Sequence, residues 1–207
     1  LPRSIISFYT SQDSIDWDMV GFERTTGGIV DLNENSSYIE IGGHSDGQSF
    51  GNTFLDASIR EVTIISKNKV QNILFTEDNL NNDYFVFKPN QINSYNAKIT
   101  FENNGIKLFR PNKYWLAINN NSDFSEDFEI ILHLSFPQIP QMRQTLISNT
   151  SIINGDVQSW KLEIVDGRLF FYWADSEGVF LNTNYIGDKS LRSGLLIQQN
   201  GKISNTS

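Results

Sequence analysis

The chain has 207 residues, 39% of them hydrophobic and 13% aromatic, with a net charge of −8 and two histidines. Its length allows one or two domains with a sizeable core, and its acidic balance shows no basic patch of the kind a nucleic-acid binder needs. It has no cysteine, which removes disulfides, thiolate catalysis and cysteine-held zinc or iron–sulfur sites, and no run of about 18 apolar residues suggests a membrane span.

Phe, Ile and Tyr dominate the apolar residues, which favours strands over helices. In chain order, Ser4 to Thr10 reads as a first strand, and Ser11-Gln12-Asp13-Ser14 as a turn whose side chains imitate backbone hydrogen bonding. Trp17 and Met19 open the next strand on alternate positions. Thr25 to Gly28 is a loop. Tyr38 to Ile41 is a strand closed by Gly42-Gly43. Asp46 lies in the polar loop from His44 to Phe54. Ile59 to Ile65 is a strand with Val62 and Ile64 on one face, and Val70 to Phe75 follows after a turn at Lys67-Asn68-Lys69. The Asn79 to Asn82 cluster reads as loop, since Asn tolerates left-handed turns. Tyr84 to Phe87 is a linking strand or the first strand of the second half.

The clearest signal runs from Phe128 to Trp173. Phe128, Ile130, Leu132, Leu134 and Phe136 alternate with more polar residues, Ile131 excepted, as expected for a strand with one buried face. Pro137 and Pro140 stop the ladder, having no N–H to donate. Thr145 to Ser148 reads as a short strand and Asn149 to Ser159 as a polar loop. Trp160, Leu162 and Ile164 alternate again. Asp166-Gly167 is a hairpin turn, and Leu169, Phe171 and Trp173 return beyond it. Val179 to Leu181 and Leu195 to Ile197 are further strands, and Asn200-Gly201 is another hairpin signal. No segment sustains a helical period.

The order FEIILHLSFP, QTLISN and WKLEIVDGRLFFYW resembles the concanavalin A-like, laminin G-like jelly roll, and WLAINNNSDFSEDFEI fits that family's entry loop. The resemblance covers about residues 95–200. Upstream, SYIEIGG and the strand around Ile59 to Ile65 resemble later strands of such a domain. FYTSQDSIDWDMVGFE is similar to a Thr-Ser-x-Asp-Gly-x-x-Trp hairpin of laminin G-like domains in phage and bacterial surface proteins, with Ser14 where Gly is usual. The expected fold is therefore an all-β, antiparallel jelly-roll β-sandwich. Residues 1–78 read as the C-terminal half of one sandwich, 79–94 as a junction, and 95–207 as the N-terminal part of a second. The alternative is that the two halves close onto each other as one circularly permuted sandwich. Half-sandwiches alone would expose strand edges and apolar faces.

Catalytic patterns are absent. Glu126, Asp127 and Glu129, or Glu163 and Asp166, lack the spacing of a glycosidase carboxylate pair and read as surface or turn carboxylates. No Gly-x-Ser-x-Gly accompanies His44 or His133. The resemblance implies calcium held at the sandwich rim by Asn121, Asp123 and Asp127. Aromatic residues that face outward can stack on a glycan, and Trp115 and Tyr172 are the candidates, with Tyr114 a further one; Trp160 and Trp173 share the parity of the buried set. The implied function is a non-enzymatic virion or extracellular module: a phage tail fibre, baseplate or head-decoration component. It would bind a cell-surface glycan, other virion proteins or copies of itself. A bacterial adhesin or carbohydrate-binding module is the alternative, and a glycan-cleaving enzyme ranks third.

Overall fold

The computed structural model describes residues 5–11, 15–19, 24–25, 38–43, 53–66, 69–87, 99–102, 105–122, 128–137, 140–153, 156–174, 180–184 and 194–200. The strands are β1 (Ile5–Ser11), β2 (Asp18–Met19), β3 (Arg24–Thr25), β4 (Tyr38–Ile41), β5 (Ala57–Ser66), β6 (Lys69–Leu74), β7 (Tyr84–Phe87) and β8 (Thr100–Glu102). They continue with β9 (Gly105–Leu108), β10 (Trp115–Asn119), β11 (Phe128–Ser135), β12 (Gln144–Ile153), β13 (Asp156–Val165), β14 (Arg168–Ala174), β15 (Phe180–Asn184) and β16 (Gly194–Asn200). Among the described residues the only helical element is one 3-10 turn, Arg110–Asn112. None of the described helical segments is long and apolar enough to cross a membrane.

The strands form two antiparallel sheets. One has nine strands, ordered β2-β1-β16-β11-β5-β9-β8, with β3 on β1 and β6 on β5. The other has seven, ordered β15-β14-β13-β12-β4-β10-β7. A single apolar cluster joins them, with Val62, Ile64, Ile130 and Leu132 from the first sheet and Ile39, Ile41, Leu162 and Phe171 from the second. Phe128 of β11 stacks on Trp160 of β13 across the gap, with ring centroids 6.3 Å apart. The architecture is thus all-β and sandwich-like, as the alternation suggests.

Local chemistry explains the best-defined elements. β11 alternates buried and half-buried positions along its length, and its buried set is the one read from the sequence. Asp166 (φ 50°) and Gly167 (φ 71°) both take left-handed conformations between Val165 and Arg168, which pair directly. Two positive-φ residues in a two-residue loop match the right-handed twist of the flanking strands. In the turn before β7, Asn81 takes φ 67°. Buried Tyr84 follows and donates its hydroxyl to the Thr76 carbonyl at 2.6 Å. Burial, with the Glu77 charge second, holds the Tyr84 hydroxyl well above its ordinary range.

Two sequence expectations change. The polar stretch from Asn149 to Ser159 is not a loop through most of its length: β12 continues to Ile153 and β13 starts at Asp156. Ladder pairing overrides weak strand propensity here, and fully buried Asn149 stands opposite Trp160. Second, the segment 79–94 does not separate two sets of sheets. β4 and β5, from residues 1–78, pair with β10, β12, β9 and β11, from 95–207. β7, inside the expected junction, pairs with β10 in the seven-stranded sheet. Both segments supply strands to both sheets. Period-two alternation reports which face of a strand is buried, not which strand lies beside it.

Bulges mark where the ladders bend. Arg60 has no partner on β11, because Leu134 pairs with Ile59 and His133 with Glu61. There β5 exchanges one neighbour for another: residues 57–59 pair with β9 and residues 61–66 with β6. The Arg60 carbonyl accepts from Phe75 N at 2.9 Å, so the irregular position stays satisfied. A second shift between Thr145 and Ile147 leaves Leu146 and Ile147 both in the core.

Candidate functional site

Cross-strand partners share a face, so the registers sort the seven-stranded sheet into inner and outer sides. Ile41, Ile147, Leu162 and Phe171 point to the core. The outer side carries a row in which Ala117 pairs with Glu40, Glu40 with Ser148, Ser148 with Lys161, and Lys161 with Tyr172. Beside it runs a second row, Thr145, Glu163 and Phe170. Trp115 and Phe87 pair at the β10–β7 end.

Several of these outer residues are nonetheless buried: Glu40 is 5% exposed, and Ser148 and Glu163 are 0% exposed. Each carboxylate has a different partner. Trp115 Nε1 donates to Glu40 Oε1 at 3.1 Å. Glu163 is held by charge: Lys161 Nζ lies 3.1 Å from Oε1 and Arg143 Nε 3.5 Å from Oε2, while neither oxygen has a well-directed hydrogen bond. Thr145 Oγ1, opposite Glu163, is buried without a hydrogen bond as well. The two cations reach outward, with Lys161 19% and Arg143 50% exposed, so their stems cover the carboxylate while their heads meet solvent. Ser148 donates its hydroxyl to the Gly43 carbonyl at 3.3 Å.

The turn after β4 allows this packing. Gly42 takes φ 82°, and a Cβ on Gly43 would lie 2.9 Å from the Trp115 Cβ. Gly42 thus turns the chain and Gly43 lets it pass close to the indole. Phe87 and Phe54 flank the Trp115 ring with centroids 6.0 Å away in each case. Trp115, expected to stack on a sugar, is 5% exposed. Its rings are occupied by phenylalanines and its N–H by Glu40, which corrects that expectation. The exposed part of this aromatic group is Tyr38, 39% exposed and edge-on to Phe85 and Phe87.

The other expected residues fall as follows. Tyr114 packs partly buried against the core. Tyr172 occupies the outer row beside Lys161, and its side chain lies outside the described residues. Asn121 is exposed. Asp123, Asp127 and Asp46 lie outside the described residues, as does the Trp173 side chain, whereas Trp160 is fully buried. Among the described residues no three His, Cys, Asp or Glu side chains gather as a metal site. Glu163, read from the sequence as a surface carboxylate, is fully buried. Glu40, Arg143, Ser148 and Lys161 carried no sequence signal, because a polar residue between two core positions reads as solvent-facing.

What this face turns to solvent is the Tyr38 ring, the Arg143 guanidinium and part of Lys161, over the buried Glu40, Ser148 and Glu163. No family model, curated protein or solved structure matches the chain.

Proposed function

We propose that the chain is a non-enzymatic recognition module with a jelly-roll, concanavalin A-like fold, and that the outer face of its seven-stranded sheet takes a glycan. The setting we infer is a virion, as a tail-fibre, baseplate or head-decoration component, with other virion proteins or copies of the chain as partners. The observation that carries the glycan reading is an outer face on which the exposed Tyr38 ring, Arg143 and part of Lys161 meet solvent around buried Glu163. The virion setting rests on the resemblance of the Thr10-Ser11-Gln12-Asp13 hairpin alone. Calcium at Asn121, Asp123 and Asp127 is part of the same reading, and a calcium-dependent rise in melting temperature, reversed by chelator, is its expected signature.

Glycan-array screening of the full chain, followed by calorimetry on the hits, tests the reading. Lys161→Ala removes a charged donor and is expected to weaken binding by roughly tenfold, since such hydrogen bonds contribute about 1.5–3 kcal/mol. Retained affinity in that variant, or no bound glycan at millimolar concentration, would overturn it. A second reading, glycan cleavage, is favoured by one observation: Glu40 and Glu163 are buried carboxylates on one face. Reducing-end release that disappears in Glu40→Gln would establish it instead.

A further inference from the structure

The outer face of the nine-stranded sheet holds a separate polar group, centred on His133 of β11. Arg60, the bulged residue of β5, places Nη2 3.2 Å from His133 Nδ1. A guanidinium only donates, so a hydrogen bond at this distance requires Nδ1 as acceptor, which is the neutral ring with its proton on Nε2. Glu61 pairs directly with His133 across the same two strands. Yet the Glu61 carboxylate is drawn along the strand: Asn72 Nδ2 donates to its Oε1 at 2.8 Å, and Thr63 Oγ1 at 3.5 Å. The imidazole therefore stands between a cation it now accepts from and an anion now held elsewhere.

We propose that His133 is a proton-operated selector between these two residues. Neutral, it accepts from Arg60; protonated, it releases Arg60 and donates to Glu61. One proton, taken from solvent at Nδ1, drives the exchange. Both ring nitrogens then become donors, so the Arg60 contact turns from a hydrogen bond into like-charge repulsion. Directly opposed antiparallel residues lie about 4.5–5.5 Å apart at Cα, which puts the Glu61 carboxylate within reach. Around His133 the paired strands and β11 itself place these residues. β16 presents Gly194, Leu74 of β6 lies beyond Glu61, and the charge of Glu129 is four residues along β11 itself. Burial, opposed by Glu61 and aided by Arg60, holds the imidazole below its ordinary 6.5. On acidification this face gains a positive charge and a released guanidinium, a change that a molecule docked there would sense.

Proton NMR of the full chain tests the exchange. His44 is the only other histidine, so His44→Gln leaves a single titrating ring. The His133 midpoint is expected below 6.5. It should rise in Arg60→Gln and fall further in Glu61→Gln, and the Asn72 side-chain amide should shift with the same midpoint as the ring. A midpoint at or above 6.5, an Arg60→Gln variant that leaves it in place, or an Asn72 amide indifferent to pH would each overturn the proposal. The ring midpoint and the Asn72 amide are both read with Arg60, Glu61 and His133 unchanged, so a misfolded variant cannot mask the result.

Discussion

Each sheet carries a lysine–glutamate pair, and the two pairs differ in one respect. Lys107 and Glu102, on neighbouring strands of the nine-stranded sheet, meet at 3.4 Å with 42% and 40% of their side chains exposed. Lys161 and Glu163, on one strand of the seven-stranded sheet, meet at 3.1 Å with the carboxylate fully buried. Water screens the first pair, so breaking it should change little. The second has exchanged hydration for two cations, and losing either leaves the buried charge with a single, partly exposed partner. At Glu163 the molecule departs from ordinary strand chemistry. An outward-facing acid need not be a solvated acid when its neighbours converge over it.

The largest test of that contrast is Lys161→Ala. With only half-exposed Arg143 left beside Glu163, the expected loss of stability is about 3 kcal/mol, read as a lower urea midpoint at unchanged slope. Next comes Trp115→Phe, which keeps the aromatic packing and deletes the donor to Glu40. A buried acceptor left short should cost about 2 kcal/mol in the same measurement. A third test is pH. The His133 imidazole is lowered in the folded state, so the unfolded chain binds its proton first. Its contribution is complete above the ordinary 6.5, declines as pH falls through that value, and levels off below the folded midpoint. His133→Gln should flatten this part of the pH–stability curve. The smallest effect belongs to Lys107→Ala, expected to stay within about 0.5 kcal/mol of the parent. Should Lys107→Ala cost as much as Lys161→Ala, burial is not what separates the two pairs.

The sequence made the strands legible where alternation was uninterrupted. β11 follows the pattern from Phe128 to Ser135, and the Asp166-Gly167 turn fixes the hairpin of β13 and β14. It hid three things. β5 buries Ala57 and Ile59, then Val62 and Ile64, so its parity slips at Arg60 and a bulge looks like an imperfect strand. Asn149, Thr150 and Ser151 look like a turn until a partner strand supplies their backbone bonds. The candidate face was hidden most completely. Glu40 and Glu163 look alike in sequence to any solvated acid on a strand, and their burial depends on Trp115, Arg143 and Lys161 reaching them from elsewhere.

The place of β16 in the nine-stranded sheet has a consequence in time. It lies between β1 and β11, with Ile5 opposite Asn200, so the first described strand is joined to the body of its sheet by the last. Pairings of such high sequence separation pay their loop-closure entropy before any contact repays it, and they slow folding. On a ribosome, β1 would keep one edge unpaired while nearly all the other strands emerge, the interval in which such edges find wrong partners. The slowest refolding phase should therefore report closure of β16, and its rate should respond to changes at Ile197 or Leu195 more than to changes in the β13–β14 hairpin.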